Sequence, residues 1–268
     1  MCLILFGWQA HPDYPLVVAA NRDEFFARPA RPAHWWDDAP GLLAGRDLEA
    51  GGTWMGVSRS GRFAALTNYR DPSQQRPGAP SRGALVRDCL ESEDDTHATL
   101  TRIAAVSNAY AGFNLLAFDG RALAVHASTT GEIRSLAPGV YGLSNHLLDT
   151  PWPKVRRARE RFAAALTELP DDHKLLALLT DDQPAPDEHL PQTGVSIEWE
   201  RRLSPAFIRA PGYGTRCSSV LTMNNDGAVC FREWTWDERG ETSGEVTHRF
   251  AADLSAAART CNPRFAPS

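Results

Sequence analysis

The sequence lacks the residue patterns that mark most metal and haem proteins. Its cysteines are odd in number and far apart, with no C-x-x-C pair for zinc and no C-x-x-C-H segment for covalent haem: they are Cys2, Cys89, Cys217, Cys230 and Cys261. None of the eight histidines lies three or four positions from another. We therefore expect no metal site, and we expect free thiols in a reducing compartment.

Long apolar runs and an excess of positive charge are also missing. The first apolar run ends at Trp8, which makes it too short for a membrane span or a secretory signal. With 28 basic and 33 acidic residues, the formal net charge is −5, which provides no broad attraction to nucleic acid or to an anionic membrane. We expect a cytoplasmic protein with no nucleic-acid partner and no transmembrane segment, in an oligomeric state that the sequence leaves open.

The order of the predicted elements indicates an α+β protein. Strand patterns come first, helical patterns follow at 81–91 and 96–110, and the clearest helix is at 152–169, where apolar residues recur every three or four positions. Because strands and helices are segregated, we expect antiparallel sheets with helices on their outer faces, in one domain over residues 1–268. Residues 24–52, rich in Pro, Arg, Asp and Gly, are expected to form an irregular covering loop.

Cys2 is the residue from which most of the predicted chemistry follows. If a peptidase removes Met1, which the small second side chain allows, Cys2 carries both a thiol and a free α-amine. The pKa of an α-amine is about 7.7 to 8, so its neutral form can take the thiol proton without a histidine. The alternative is structural, because cysteine often acts as a small buried hydrophobe and Cys2 begins an apolar run.

Four segments place polar side chains at the ends of predicted strands. Asp23 could orient the amine or thiol of Cys2, or form a local ion pair in a turn. Asn68 and Asn145 could donate to the oxyanion that forms when a thiolate attacks a carbonyl, or could simply end their strands. Arg216 could place a permanent cation beside Cys2 and favour the thiolate, or could pair with a carboxylate. Taken singly, each segment leaves both interpretations open.

Together these segments resemble one known family, the NRDE proteins, also called the transport and Golgi organisation family. The resemblance extends over nearly the whole chain, and the Asn-Arg-Asp-Glu signature is specific. The matching segments, in chain order, are Met1-Cys2, Asn21-Arg22-Asp23-Glu24, Leu66-Thr67-Asn68-Tyr69-Arg70-Asp71, Gly142-Leu143-Ser144-Asn145 with Pro151-Trp152-Pro153-Lys154, and Gly214-Thr215-Arg216.

That family resembles, more remotely, the N-terminal-nucleophile (Ntn) hydrolases of the penicillin V acylase and bile-salt hydrolase branch. The resemblance implies a four-layer αββα sandwich of two antiparallel sheets flanked by helices. By motif position it implies Cys2 as the nucleophile and Asp23 as the carboxylate near its amine. It also implies Asn68 and Asn145 as oxyanion and substrate donors and Arg216 as the late arginine of the site. Four further residues are expected to contact substrate: Asn21, Arg22, Trp54 and Tyr69.

One position departs from the hydrolase pattern. Those hydrolases have an arginine three residues before the carboxylate, whereas this chain has Ala20 there and Arg22 adjacent to Asp23. Because adjacent strand residues face opposite ways, we expect Arg22 to lie out of reach of the nucleophile.

The sequence is compatible with two functions that belong to different classes. The first is a cysteine Ntn hydrolase that cleaves a nonpeptide C–N amide or related acyl bond of a small molecule and needs no cofactor. The second is a non-catalytic protein on the same fold that binds or traffics haem or lipid, since the family resemblance also implies roles in haem mobilisation and membrane homeostasis. In that case haem is a bound ligand.

Overall fold

The computed structural model describes residues 2–74 and 76–253, which form fourteen β-strands and five α-helices. None of these helices is long and apolar enough to cross a lipid bilayer. The helices are α1 (Gly83–Glu91), α2 (Thr96–Val106), α3 (Pro153–Ala165), α4 (His173–Leu179) and α5 (Ile197–Arg202). The strands are β1 (Cys2–Trp8), β2 (Leu16–Phe25), β3 (Ala30–Trp35), β4 (Leu42–Asp47), β5 (Met55–Ser58), β6 (Phe63–Asn68), β7 (Phe113–Phe118), β8 (Leu123–Ala127), β9 (Glu132–Ser135), β10 (Gly139–Leu143), β11 (Arg209–Ala210), β12 (Tyr213–Met223), β13 (Ala228–Trp236) and β14 (Thr242–Ala251).

The first sheet holds β1, the strand that starts with Cys2, in its interior. The strand order is β10-β1-β2-β12-β13-β14, with β11 paired to β12, and every pairing is antiparallel. β1 is buried along its whole length, as an unbroken apolar run predicts for a strand covered on both faces. The sequence prediction for this strand is confirmed.

The second sheet is an antiparallel meander in the order β3-β4-β5-β6-β7-β8-β9. Each strand pairs with the next along the chain, and α1 and α2 are inserted between β6 and β7. Asn68 is the last residue of β6, so this sheet carries it to the edge where β6 ends.

Three hydrophobic clusters separate four layers. Ile4 and Phe63 belong to the cluster between the two sheets. Phe162 of α3 packs with Leu5 on the outer face of the first sheet, and Leu85 of α1 belongs to the cluster on the outer face of the second sheet. The layer order is therefore helix, sheet, sheet, helix, and the predicted α+β sandwich of αββα type is confirmed.

Residues 24–52 do not form the irregular loop that their composition predicts. β2 continues to Phe25, and β3 and β4 form an antiparallel hairpin in the second sheet. β3 is an edge strand whose exposed positions carry Arg31 and Pro32, residue types that occur on sheet edges and hide the alternation of the strand. Trp36 follows it and is buried, with its indole N–H donating to the Ala44 carbonyl oxygen at 3.1 Å.

Candidate active site

A cavity of about 390 Å³ lies between the two sheets beside the first residue of β1. The first sheet contributes Cys2 and Arg22 to its wall. Asn68 and Trp54 line it from the second sheet, and Arg82, just before α1, closes another side. The structure thus brings together six of the nine predicted site residues: Cys2, Arg22, Asp23, Trp54, Asn68 and Arg216.

Cys2 and Arg22 face each other across the β1–β2 ladder. Cys2 is 6% exposed, and the neighbouring residues on the same strand faces, Ile4 and Ala20, belong to the core between the sheets. Because side chains alternate along a strand, Cys2 and Arg22 both point towards the cavity. The prediction that Arg22 lies out of reach of the nucleophile is therefore wrong: Arg22 and Asp23 do face opposite ways, and Arg22 is the one on the Cys2 side.

The surroundings of the Cys2 thiol act on its ionisation in opposite directions. Burial, the largest influence, and the Asp23 carboxylate raise the pKa of the thiol, whereas the Arg22 guanidinium and the backbone N–H of Asp23, which donates to the sulfur, lower it. Arg22 is oriented by Asp47, with Nη2 and Oδ2 3.4 Å apart, and the same oxygen accepts from Arg28 Nε at 2.6 Å. Arg22 is thus a fixed cation opposite the sulfur.

The Asp23 carboxyl lies on the other face of β2, under the helices. Its Oδ1 accepts from the Thr215 hydroxyl at 2.7 Å, and its backbone carbonyl accepts from the Tyr213 hydroxyl at 3.1 Å. Burial raises the pKa of Asp23, and the nearby Lys154 ammonium is the strongest opposing influence. Asp23 therefore contacts Cys2 through its main chain and presents its carboxyl to a second, buried set of charges.

A β-bulge in β12 sets which side chains face the cavity. Thr215 pairs with Asp23 and Cys217 pairs with Arg22, so two consecutive residues of β2 match residues 215 and 217, and Arg216 is the extra residue. The bulge keeps Thr215 on the helix side and Cys217 in the cavity wall, although residues two apart normally share a face.

Arg216 lines the cavity but does not lie opposite the Cys2 sulfur. Its Nη1 donates to the carbonyl oxygens of Phe25 and Arg28 at 2.8 and 2.9 Å, which holds the guanidinium against the end of β2. The predicted role of a cation directly beside Cys2 is therefore filled by Arg22, and Arg216 belongs to another part of the cavity wall.

The two predicted oxyanion donors occupy different positions. Asn68 lines the cavity. Asn145 is fully buried outside the described lining, and its Nδ2 donates to the backbone carbonyl of Asn68 at 2.9 Å. Next to it, the Ser144 hydroxyl donates to the backbone carbonyl of Cys2 at 2.9 Å. Asn145 therefore holds the Asn68 main chain in place instead of reaching a substrate.

Of the four expected substrate contacts, Arg22 and Trp54 line the cavity, whereas Asn21 and Tyr69 lie elsewhere. Asn21 faces the helices, and its Nδ2 donates to the carbonyl oxygen of Leu179 at 2.7 Å. Tyr69 packs on His146, with ring centroids 4.9 Å apart. Strand alternation turns the Asn21 side chain away from the space between the sheets, and Tyr69 lies just beyond the end of β6.

Arg22 and Arg216 were predicted site residues, but the number of arginines around the cavity is a feature that the sequence did not point to. Arg28, Arg31 and Arg46 lie in 24–52, the arginine-rich segment whose composition predicts a loop. Four acidic residues also border the cavity: Asp23, Glu24, Asp47 and Glu233. The described lining contains seven arginines: Arg22, Arg28, Arg31, Arg46, Arg76, Arg82 and Arg216.

The family model for Transport and Golgi organisation 2 matches residues 1–238. This protein belongs to the Transport and Golgi organisation 2 family. The family predicted from the Asn-Arg-Asp-Glu and accompanying motifs is thereby confirmed.

Relatives in the Transport and Golgi organisation 2 family match almost from end to end. The Transport and Golgi organization protein 2 homolog of Bos taurus is 38% identical over 93% of this chain and 99% of its own length. The homolog of Homo sapiens is 36% identical over 87% of this chain and 92% of its own length. These names refer to transport and Golgi organisation and to no chemical reaction.

Among solved structures, the chain is similar to the mutant C2A conjugated bile acid hydrolase from Clostridium perfringens. The TM-score is 0.47 and the sequence identity is 9%, over 95% of this chain and 98% of that chain.

Proposed function

We propose that this protein is a cytoplasmic cysteine Ntn hydrolase that cleaves a nonpeptide C–N amide or a related acyl bond, with Cys2 as nucleophile after removal of Met1. The observation that carries the proposal is the position of Cys2 in the cavity wall, opposite Arg22 and in a cavity that Asn68 also lines. A cysteine that serves only as a core residue needs neither a facing guanidinium nor a cavity.

The chemistry needs no cofactor. The Cys2 sulfur forms a bond to the substrate carbonyl carbon while the thiol proton passes to the α-amine, and Asn68 donates to the resulting oxyanion. The C–N bond then breaks, the proton moves from the α-amine to the leaving nitrogen, and a thioester remains. Water adds to the thioester carbonyl and gives a proton to the α-amine, which returns it to sulfur as the carboxylic acid leaves.

The charge of the cavity favours a substrate with an anionic group. Seven arginines and four acidic residues border the cavity, so guanidinium groups outnumber carboxylates there. One of these carboxylates, Asp47, pairs with both Arg22 and Arg28. Guanidinium groups bind carboxylate and phosphate groups through paired N–H donors. We expect an amide that carries an anionic group to be turned over faster than a neutral amide of the same size.

A haem or lipid carrier is the second candidate, because the same arginines fit the two carboxylates of haem. Haem iron takes His, Cys, Met or Tyr as axial ligand, and of these types the described lining offers Cys2 and Cys217. Titration of the protein with haem separates the candidates. A Soret shift that disappears in Cys2→Ala, without turnover of any amide, supports the carrier, whereas turnover without a Soret shift eliminates it.

An electrophilic acyl probe is expected to label the wild-type protein at Cys2 and to leave Cys2→Ala unlabelled, because the thiol is the group that forms the acyl bond. Intact-protein mass spectrometry measures the added acyl mass. Cys217→Ala, in the same cavity, and Cys230→Ala, outside its described lining, are matched controls that should label like the wild type.

Two results would contradict the proposal. Equal labelling of wild type and Cys2→Ala would show that another group reacts. A mature chain that retains Met1 has its Cys2 nitrogen in a peptide bond and therefore has no base. The same mass spectrum reports both.

A further inference from the structure

The last strand, β14, ends the first sheet as a long edge strand. It has ten residues, Thr242–Ala251, and one of its sides pairs with β13. Among the strands that the structure describes, none pairs with its other side. The N–H and C=O groups on an open edge can bond to a further strand, which makes such an edge a template for association.

The other three edge strands of the two sheets are protected against association. β3 has the exposed Pro32 and a bulge between Arg31 and His34. β9 is only four residues long. At β10, the N–H of Gly142 donates to Asp149 Oδ1 and its carbonyl oxygen accepts from the Asp149 N–H, both at 2.8 Å. Bulges, prolines, short strands and covering loops are the usual means of blocking an edge. β14 contains neither proline nor lysine and is much the longest of the four.

The main-chain groups that β14 directs outward belong to alternate residues. The N–H of Ala252, just past the strand, donates to the carbonyl oxygen of Gly227, which precedes β13. Antiparallel pairs alternate between hydrogen-bonded and non-hydrogen-bonded residues. The even-numbered residues of β14 therefore bond to β13, and Glu245, Thr247 and Arg249 direct their N–H and C=O groups to the open side. The side chains of these three residues are exposed on one face of the sheet.

We propose that β14 is the interface of a homodimer, in which two copies of the strand pair antiparallel about a two-fold axis at Thr247. The two first sheets then form one continuous sheet. Identical strands that pair in this way use the same surface on both subunits, so the assembly closes at two copies and leaves neither β14 edge open. About six main-chain hydrogen bonds result, two from each facing pair of outward-directed residues.

The charges of β14 favour a second copy in this register. With the axis at Thr247, Glu245 lies opposite Arg249 of the partner subunit, and the same pair recurs on the other side of the axis. Moving the axis by one residue in either direction places one of these charges opposite Thr247 instead. Facing charges of opposite sign stabilise an antiparallel pair, and like charges destabilise it. Within the described residues, Arg249 pairs with no carboxylate, whereas Glu245 pairs with Arg232 at 2.9 Å.

The interface is separate from the candidate active site, because no residue of β14 belongs to the described lining of the cavity. The homodimer therefore does not depend on the proposed function. A single strand pair is smaller than the interface of an obligate dimer, so we expect a reversible dimer whose fraction rises with protein concentration.

Sedimentation velocity of the full chain over a wide concentration range tests the homodimer. At high concentration the wild type should reach twice the chain mass of 29.4 kDa. Arg249→Glu places like charges opposite each other at two symmetric positions and should weaken association by about tenfold or more. The charge exchange Glu245→Arg/Arg249→Glu restores both opposite pairs and should recover most of the affinity.

Arg239→Glu is the matched control, because Arg239 is exposed in the turn before β14 and the variant has the same net charge as Arg249→Glu. Its dimer should be as stable as that of the wild type.

Three results would overturn the inference. A wild type that stays monomeric at every concentration excludes the dimer, and slow hydrogen exchange of the outward β14 amides in that monomer would show that another part of the chain covers the strand. Equal association of the wild type and Arg249→Glu would place the interface elsewhere. A charge-exchanged variant as weak as Arg249→Glu would exclude the pairing about Thr247.

Discussion

Replacing Asn68 by alanine is expected to lower kcat by about 100- to 1,000-fold, the usual cost of removing one oxyanion donor. Asn68 is the predicted donor that lines the cavity, and its backbone is held by Asn145. The oxyanion forms only during the reaction, so kcat should fall while KM changes little. Steady-state kinetics on the amide with the highest turnover measures both.

Asn108→Ala is the control for this prediction, because Asn108 is exposed in the short 3₁₀ segment Ser107–Ala109. Its kcat should equal that of the wild type. If Asn68→Ala raises KM and leaves kcat unchanged, Asn68 binds the ground state and another group stabilises the oxyanion.

Breaking the buried pair of Arg70 and Glu200 is expected to have the largest effect on stability. The side chains are 6% and 3% exposed, and Glu200 Oε1 also accepts from the N–H and hydroxyl of Thr193 at 2.9 and 2.6 Å. Arg70→Met leaves a carboxylate buried without its cation, so the free energy of unfolding should fall by about 3 to 5 kcal/mol. Urea unfolding followed by tryptophan fluorescence measures it.

Helix α5 supplies a control one residue away. Arg201 pairs with Asp187 at 2.5 Å, but these side chains are 48% and 54% exposed. Arg201→Met should lower the free energy of unfolding far less than Arg70→Met does, because water screens an exposed pair. The double variant Arg70→Met/Glu200→Leu should recover much of the lost stability, since no unpaired charge remains. Equal losses for Arg70→Met and Arg201→Met would show that burial does not set the cost.

The elements that the sequence predicts well are those whose burial is regular. β1 ends at Trp8, where the first apolar run ends, and α3 lies within the range that its apolar repeat marked. The strands that were missed lie at or near an edge of the second sheet. β3 and β9 are the two edge strands, with two of six and three of four residues exposed, so polar and charged side chains conceal the alternation that identifies a strand.

The candidate site shows the same division between local and non-local information. Cys2 and Asn68 were identified because each stands at the end of a strong strand pattern. The prediction for Arg22 was wrong because the register of β1 with β2 decides whether Cys2 and Arg22 lie on the same face of the sheet. The sequence does not contain that register. Five of the seven cavity arginines were missed because the residues that surround the cavity come from distant parts of the chain.

The bulge at Arg216 makes this arginine an addition to an otherwise regular ladder. Its neighbours in the strand, Thr215 and Cys217, already match the consecutive residues Asp23 and Arg22, so shortening the chain by residue 216 would leave each neighbour on its present face. A guanidinium can be gained or lost at this point by insertion or deletion of one codon, while the rest of the architecture stays in place. We therefore expect a relative whose alignment shows a one-residue gap at this position to keep the fold and to lack this guanidinium in its cavity wall.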